Sequence, residues 1–467
     1  MLDAKLDALL SAKLATSGNC SKSKIIVFPF LLLMEENRIP TSASYNAKAL
    51  QDFSNFPLMQ AISGRRSRRF CLGAEIPDGP LSFKSNQRPF PLTESEQMVV
   101  LTSMAGSTGW HYTISYNETV RSQLPSYSAG APGRTFPSAA GFHTSDLFFT
   151  DDNGTYYFST RDFHPPSEDY SGKQGQLENH TAEHKKRVRK LSDKRLFLPR
   201  ESPFMDPHNT WIANHEGSTL VLPVVDLAQH TLNGIWYYAL DGRAIYDDIA
   251  KRPIPGLEKF RNVITHPNSP LPLSFLEMML MAECTAEISM SCYAGALTLQ
   301  AMGLGGWAFD GLDWMAILGA SGDPKIRGFG FRYDTDSRWP VPNITGLPGV
   351  FEGYCPPHYR NMGEAVEALA KRKYGIGGVY NEGTPGAWKD SASIRKRTHR
   401  ASQEFKYCVA LQAQYIYDTY GKFPATTPSI FAFMYLQAHH LDLSFYDHYF
   451  KRGAYLATHS EHMKNWH

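Results

Sequence analysis

Residues Gln300-Ala301-Met302-Gly303-Leu304-Gly305-Gly306-Trp307 decide between two fold classes. Gly303, Gly305 and Ala308 match the dinucleotide fingerprint G-x-G-x-x-[G/A]. That fingerprint works only where a strand ends and a helix begins, because the helix N-terminus must face the pyrophosphate. Here a helix comes first. Ser274 and Glu277 form a Ser-x-x-Glu capping box, and Met278, Met281, Ala282, Ile288, Tyr293, Leu297 and Met302 carry the helix to a stop at Gly303. A Rossmann domain is therefore excluded. The glycines read either as a helix stop or as exposed backbone N–H groups beside a planar cofactor. Ala286, Ser289, Ser291, Ala294, Gly295 and Ala296 give the helix a small-residue side, and its almost uncharged second half suits burial at a core or subunit seam.

The chemistry-bearing stretch is Gly64-Arg65-Arg66-Ser67-Arg68-Arg69, with four guanidiniums and a hydroxyl in six residues. Such a cluster suits a phosphate or another doubly charged anion, and also reads as a solvated basic patch or a nucleic-acid contact. Composition narrows the choice. The chain has 467 residues, 47 basic and 45 acidic, for a net charge of +2, which excludes a general nucleic-acid binder. With 42% apolar and 20% charged residues it has an ordinary globular balance. Cys20, Cys71, Cys284, Cys292, Cys355 and Cys408 are scattered without a Cys-x-x-Cys pair, which fits a reducing, cytoplasmic setting with no disulfide framework. The apolar run Ile25 to Met34 contains Pro29, is too short to span a bilayer, and reads as a buried strand or packed arm. No membrane segment is expected.

Outward from these stretches, residues 2–14 carry Leu2, Leu6, Leu9, Leu10 and Leu14 at helical spacing. Thr93 and Glu96 form a capping box for a helix through Met98, Val99, Leu101 and Met104 that ends near Gly106. In Arg134-Thr135-Phe136-Pro137-Ser138-Ala139-Ala140-Gly141, a proline and small residues let the backbone approach a flat ligand. Asp151-Asp152-Asn153-Gly154 joins two aromatic-rich strands in a hairpin. Residues 164–195, with Lys185, Lys186, Arg187, Arg189 and Lys190, read as a charged helical surface segment, and Thr219 to Asp226 as a strand. Thr231 to Leu240 is ambiguous between strand and helix.

Taken together, Arg65-Arg66-Ser67-x-Arg69, Pro91-Leu92-Thr93-x-x-Glu96, Arg134-Thr135-x-Pro137-Ser138-Ala139-x-Gly141 and Ala301-Met302-Gly303-Leu304-Gly305-Gly306 resemble, in order, the FMN-dependent nitroreductase superfamily. The branch they resemble most contains the azoline dehydrogenases of peptide-modifying clusters. The resemblance covers roughly residues 55 to 335. It implies an α+β fold, an antiparallel sheet flanked by helices, in a homodimer with FMN at the subunit seam. Carried over by position, Arg65, Ser67 and Arg69, with Arg66 beside them, hold the FMN phosphate and the polar ring edge. Pro137, Ser138 and Ala139 lie against the ring, and Leu304, Gly305 and Gly306 bring backbone donors near N5. Phe70 directly after Arg69, and Arg68 in place of an apolar residue, depart from the pattern. The usual C-terminal basic contact has no clear counterpart, with Arg332 and Arg338 both candidates.

The domain organisation expected is an N-terminal arm (1–54), a flavin domain (55–340) with a charged surface insert near 164–200, and a largely helical C-terminal extension (341–467) forming a lid or a dimer arm. The extension ends in His439, His440, Asp442, Asp447, His448, His459 and His462. His439 with Asp442, and His459 with His462, could share helix faces, but no metal-binding motif is complete and no metal is expected. The function expected is an FMN-dependent oxidoreductase passing electrons, with NAD(P)H as a candidate donor, to a flat or conjugated small molecule. The general acid is unassigned. Two rival readings are a flavin-binding protein without turnover and a metal-dependent hydrolase using the C-terminal histidines.

Overall fold

The computed structural model describes residues 47–112, 114, 130–138, 141–161 and 176–467. The expectations for residues 2–14 and 25–34, for Ala139 and for the start of the charged segment lie outside the described residues. The described residues belong to one compact unit.

The strands of the main sheet are β1 (Ser145–Asp151), β2 (Gly154–Phe158), β3 (Val188–Ser192), β4 (Thr219–Asp226), β5 (Gly305–Phe309), β6 (Ile430–Phe431) and β7 (Tyr435–His439). They lie in the order β5-β7-β4-β1-β2-β3, with β6 pairing beside β7 onto β4. Every pairing is antiparallel. The β1–β2 hairpin and β4 fall where the sequence puts them. Alternation along β1 sends Leu147 and Phe149 to one face and Phe148 to the other, so the sheet is buried on both sides.

The helices that bear on the site are α1 (Leu58–Gly64), α2 (Glu94–Ala105), α3 (Gln176–Lys185), α4 (Leu227–Leu240), α5 (Leu273–Met302), α6 (Met362–Tyr374), α7 (Gln403–Tyr420) and α8 (Ala457–Trp466). The chain is thus α+β. On one sheet face, Met98, Leu101 and Met104 of α2 and Cys292, Leu299 and Met302 of α5 pack with Leu147, Phe149, Val221 and Leu436. On the other face Phe148, Leu222, Trp307, Phe309 and Tyr435 meet Ile317, Phe331, Ile344 and Phe351. A further core joins α4, α6 and α7 through Trp236, Leu369 and Val409.

The α2 capping box forms as read: Glu96 N donates to Thr93 Oγ1 at 3.3 Å and Thr93 N to Glu96 Oε2 at 2.6 Å. The ambiguous stretch is helix α4, capped by Asp226, whose Oδ1 accepts from Gln229 N at 2.8 Å. The box at Ser274 does not form. Pro272 is the N-cap of α5, Ser274 N donates to Asp248 Oδ1 at 2.9 Å, and the Glu277 carboxylate accepts from Ala425 N and Thr426 N, both at 2.7 Å. Both side chains have remote partners that outcompete the local one.

Two further expectations are corrected. The run at 185–190 is only partly a solvated face and is not one helix: Lys186, Arg187 and Arg189 are exposed, but α3 ends at Lys185, which is buried and 2.7 Å from Glu94, and Arg189 and Lys190 belong to β3. Nor is the sheet complete by residue 340. Strand β7, from the expected extension, lies between β5 and β4, with Gly306 opposite Ala438 and Leu220 opposite Gln437. The aromatic residues there (Phe431, Tyr435, Phe445, Tyr446) pack into the sheet cores because β7 is flanked on both edges and covered on both faces.

Candidate functional site

The arginine stretch begins where α1 ends, since Arg65 is its C-cap with extended φ and ψ of −61° and 122°. Arg68 then makes one antiparallel bridge with Gly306: Gly306 N donates to Arg68 O at 2.8 Å, and Arg68 N to Gly306 O at 3.2 Å. The stretch therefore runs along the outer edge of β5. Arg65, Arg66 and Ser67 are exposed and line a cleft of about 200 Å³ with Gly306, Trp307, Ala308 and Met434. The far wall is one face of α5, where Ser289, Tyr293, Ala296 and Gln300 recur at helical spacing. These four residues, with Trp307, were missed as site residues, although their spacing was visible in the sequence.

Arg68 and Arg69 leave the cleft for the interior. Arg68 is 3% exposed; it donates through Nε to Ala454 O at 2.9 Å, through Nη1 to Gln300 Oε1 at 2.5 Å, and to Gly64 O. Arg69 does not line the cleft as expected. Its Nη2 donates to His208 O at 2.8 Å and Asn209 Oδ1 at 2.7 Å, and its guanidinium lies 4.8 Å from the Trp307 ring centre and 5.4 Å from that of Trp211. Burial lowers the pKa of both groups. Among the described residues the buried Arg69 Nε has no hydrogen-bond partner, and the guanidinium abuts the tryptophan that lines the cleft.

The glycine turn supplies shape, not donors. Leu304 N donates to Leu299 O at 2.9 Å, and Gly306 N is taken by Arg68 O, so neither N–H is left for a cofactor. Gly305 stands opposite His439 in the sheet. At Gly306, with φ +144°, a Cβ would stand 2.0 Å from Gln437 O, so only glycine lets β5 and β7 pair there. Pro137 is exposed and Ser138 half-buried, and neither lines the arginine cleft. Their neighbour Thr135 lines a separate cavity of about 320 Å³ with Val99, Thr102, Ser107 and His180. One chain thus holds the motifs of the expected flavin site in two places.

The histidines sort differently from their spacing. His439 Nε2 sits 3.1 Å from Arg68 O, and Asp442 caps the short helix Leu443–Tyr449. His440, His462 and His467 converge instead on Glu96, whose Oε1 lies 3.1, 2.7 and 3.2 Å from their respective Nε2 atoms. Burial alone would raise the Glu96 carboxyl, but the three imidazoles set against it hold it well below the usual carboxylate range. No sequence window links residue 96 to residues 440–467, which is why this group was not read.

No family model matches the sequence. No curated protein matches it either. Among solved structures, a protein of Ralstonia eutropha JMP134, provisionally described as a nitroreductase, aligns over 64% of this chain and 84% of its own, at 12% identity and a TM-score of 0.25. A superposition this loose carries no argument about the site.

The arginine cleft itself offers fixed positive charge, a hydroxyl donor, an aromatic wall and a small-residue helix face. That donor set fits the phosphate end of a nucleotide-type cofactor. Its volume falls short of the ~300–1,000 Å³ of a complete ligand pocket. No helix among the described residues is long and apolar enough to cross a membrane.

Proposed function

We propose that the chain is a flavin-dependent oxidoreductase that binds FMN and passes electrons to a flat or conjugated small molecule. The observation that carries this reading is the convergence of Arg65, Arg66 and Ser67 with Trp307 and the Ser289–Gln300 face of α5 around one cleft. A dianionic phosphate needs fixed cations that are not already neutralised. Arg65 qualifies, being exposed and without a side-chain hydrogen bond or ion pair among the described residues. Bound flavin would supply hydride acceptance and electron transfer, and positive charge near its N1 favours the reduced anion. The chain's own part is to anchor the phosphate through Arg65 and Ser67, and to wall the ring with Trp307. Arg69, held against Trp307, keeps a positive charge behind that wall.

The reading includes a homodimer. Phe275, Met278, Ala282, Ala286 and Tyr293, with the half-buried Ser289, make an exposed, uncharged stripe along α5, and Leu58, Met59 and Ile62 are exposed on the neighbouring α1. Contiguous apolar surface of this kind is what subunit seams cover. A second copy would complete the undersized cleft and bring another Pro137–Ser138 element toward the ring. A reducing cytoplasm goes with the free, buried thiols of Cys71, Cys284, Cys292, Cys355 and Cys408.

The test is the absorption spectrum of purified protein, followed by FMN titration of the stripped form and anaerobic addition of NADH or NADPH. Flavin bands, saturable binding and bleaching by either nucleotide are expected. A colourless protein that leaves FMN fluorescence unchanged overturns the reading. Binding without bleaching by either donor leaves a flavin-binding protein and removes NAD(P)H as the donor.

A further inference from the structure

The side chains gathered around Glu96 have a geometry that hydrogen bonding alone does not explain. Glu96, His440 and His462 are almost completely buried, at 0%, 2% and 3% exposure. Their ligand atoms and that of His467 all lie within 4.8 Å of one another. His440 Nε2 is 3.3 Å from His467 Nε2.

The tautomers follow from the outer partners. His440 Nδ1 is 2.9 Å from Phe90 O and His462 Nδ1 is 2.8 Å from Met302 O. A carbonyl oxygen only accepts, so both Nδ1 atoms carry protons. In a neutral imidazole the Nε2 then has a lone pair, and in both rings that lone pair faces Glu96 Oε1. Without a cation at the centre, two arrangements remain. Either a lone pair opposes a carboxylate oxygen, or a buried group must take up a proton, on an imidazole or on the carboxyl, to avoid it. Each is costly in a dry site. A cation at the centre turns the same lone pairs into ligands.

We propose that Glu96, His440, His462 and His467 bind a divalent first-row transition ion, with zinc the best fit, through one carboxylate oxygen and three Nε2 atoms. Tetrahedral zinc with bonds of about 2.0–2.1 Å separates its ligand atoms by about 3.3 Å. The His440–His467 separation of 3.3 Å and the Glu96 separations of 3.1 and 3.2 Å match this, and the His462–Glu96 separation of 2.7 Å is shorter. The outer contacts are also those of a built metal site. Each of the two buried imidazoles is oriented by a carbonyl, and Glu96 Oε2 is held by Thr93 N at 2.6 Å and Thr93 Oγ1 at 2.8 Å.

Four protein ligands close a tetrahedral site, so the ion is structural and not hydrolytic. It would staple the first turn of α2, the residue after β7 and the end of α8. His467, with 18% of its side chain exposed, marks the side on which the ion enters.

The experiment uses the full chain. Metal content is measured after growth with added zinc, then the chelator-stripped protein is titrated with Zn²⁺ and with Co²⁺. One zinc per chain, a zinc-dependent rise in melting temperature and the visible bands of tetrahedral cobalt are expected. Glu96→Gln keeps an acceptor for the α2 cap, and His467→Gln changes only the least buried ligand. Each should weaken zinc binding by about 100-fold or more, beyond the ~10–100-fold typical of losing an outer partner. Less than about one zinc per ten chains, with no thermal shift and no cobalt bands, overturns the proposal. So does undiminished zinc affinity in both variants, because the ion would then sit elsewhere.

Discussion

Arg68→Ala separates the structural arginine from the ligand-binding ones. Arg68 is buried and held by the carbonyl oxygens of Ala454 and Gly64 and the side-chain amide of Gln300. Truncation strands these acceptors, and each buried acceptor left without a donor costs about 1–3 kcal/mol. Against that, the mutation removes a buried cation whose acceptors are all uncharged, and whose desolvation is what lowers its pKa. The balance should be a loss of about 2–4 kcal/mol. It would be read as a drop in the urea midpoint followed by tryptophan fluorescence, with the slope unchanged. Arg65→Ala is the control, because the exposed Arg65 side chain should shift stability by no more than about 0.5 kcal/mol. Flavin affinity should fall in both variants, through loss of contact in Arg65→Ala and loss of positioning in Arg68→Ala. An Arg68→Ala protein as stable as the parent, or an Arg65→Ala protein destabilised by more than about 1 kcal/mol, would refute the assignment of the two roles.

Other outcomes can be stated briefly. Arg65→Ala should weaken FMN binding by about 2 kcal/mol in a fluorescence titration, the scale of one charge-assisted hydrogen bond. Gly295→Leu should cost about 1–3 kcal/mol or more in denaturant and leave the oligomer unchanged, since a Cβ there stands 2.5 Å from Leu436 and 2.7 Å from Met104 of its own chain. Ala286→Arg, on the exposed stripe of α5, should yield monomers by light scattering without lowering monomer stability. His184 is one of several acid-sensitive groups, with His143, His439 and His459 also pushed down by burial. Burial pushes it down to about 3, its Nδ1 donates to His180 O at 2.6 Å, and its Nε2 accepts from Ser107 N at 2.9 Å. Its folded pKa lies below the unfolded value near 6.5, so its stabilisation is complete above about pH 6.5 and is lost as pH falls toward 3. His184→Gln should flatten the acid limb of the stability profile, and an unchanged slope rules the assignment out.

Local signals in the sequence were reliable where their partners were also local. The Thr93–Glu96 box, the Asn153-Gly154 turn and the stop of α5 at Gly303 each involve residues within a few positions, and each forms. Ser274 and Glu277 had the same spacing and failed, because Asp248 and the Ala425–Thr426 amides lie nearer in space. Nothing local in the arginine stretch tells which side chains face the cleft. The Arg68–Gly306 bridge fixes that, and it turns Arg68 inward. Strand β7 escaped because it is buried on both faces, so Gln437 and His439 interrupt the apolar pattern without being exposed. The grouping of His440, His462 and His467 with Glu96 depends on that same strand, and no helical spacing could have shown it.

The position of β7 also governs how the chain can be built and cut. In the backbone pairing of the sheet, edge strand β5 is joined to the β4–β1–β2–β3 block through β7. Any chain broken before Tyr435 therefore leaves Gly305–Phe309 and Thr219–Asp226 each with an unpaired, apolar border. Sheet closure must wait for contacts between residues more than a hundred positions apart, the kind of pairing that slows folding and exposes strand edges meanwhile. A truncation aimed at removing a lid would instead split the sheet, and the fragment should aggregate and not bind a cofactor with altered preference. For this chain the late segment acts as the keystone of an arch: the last stone placed and the first whose removal brings the span down.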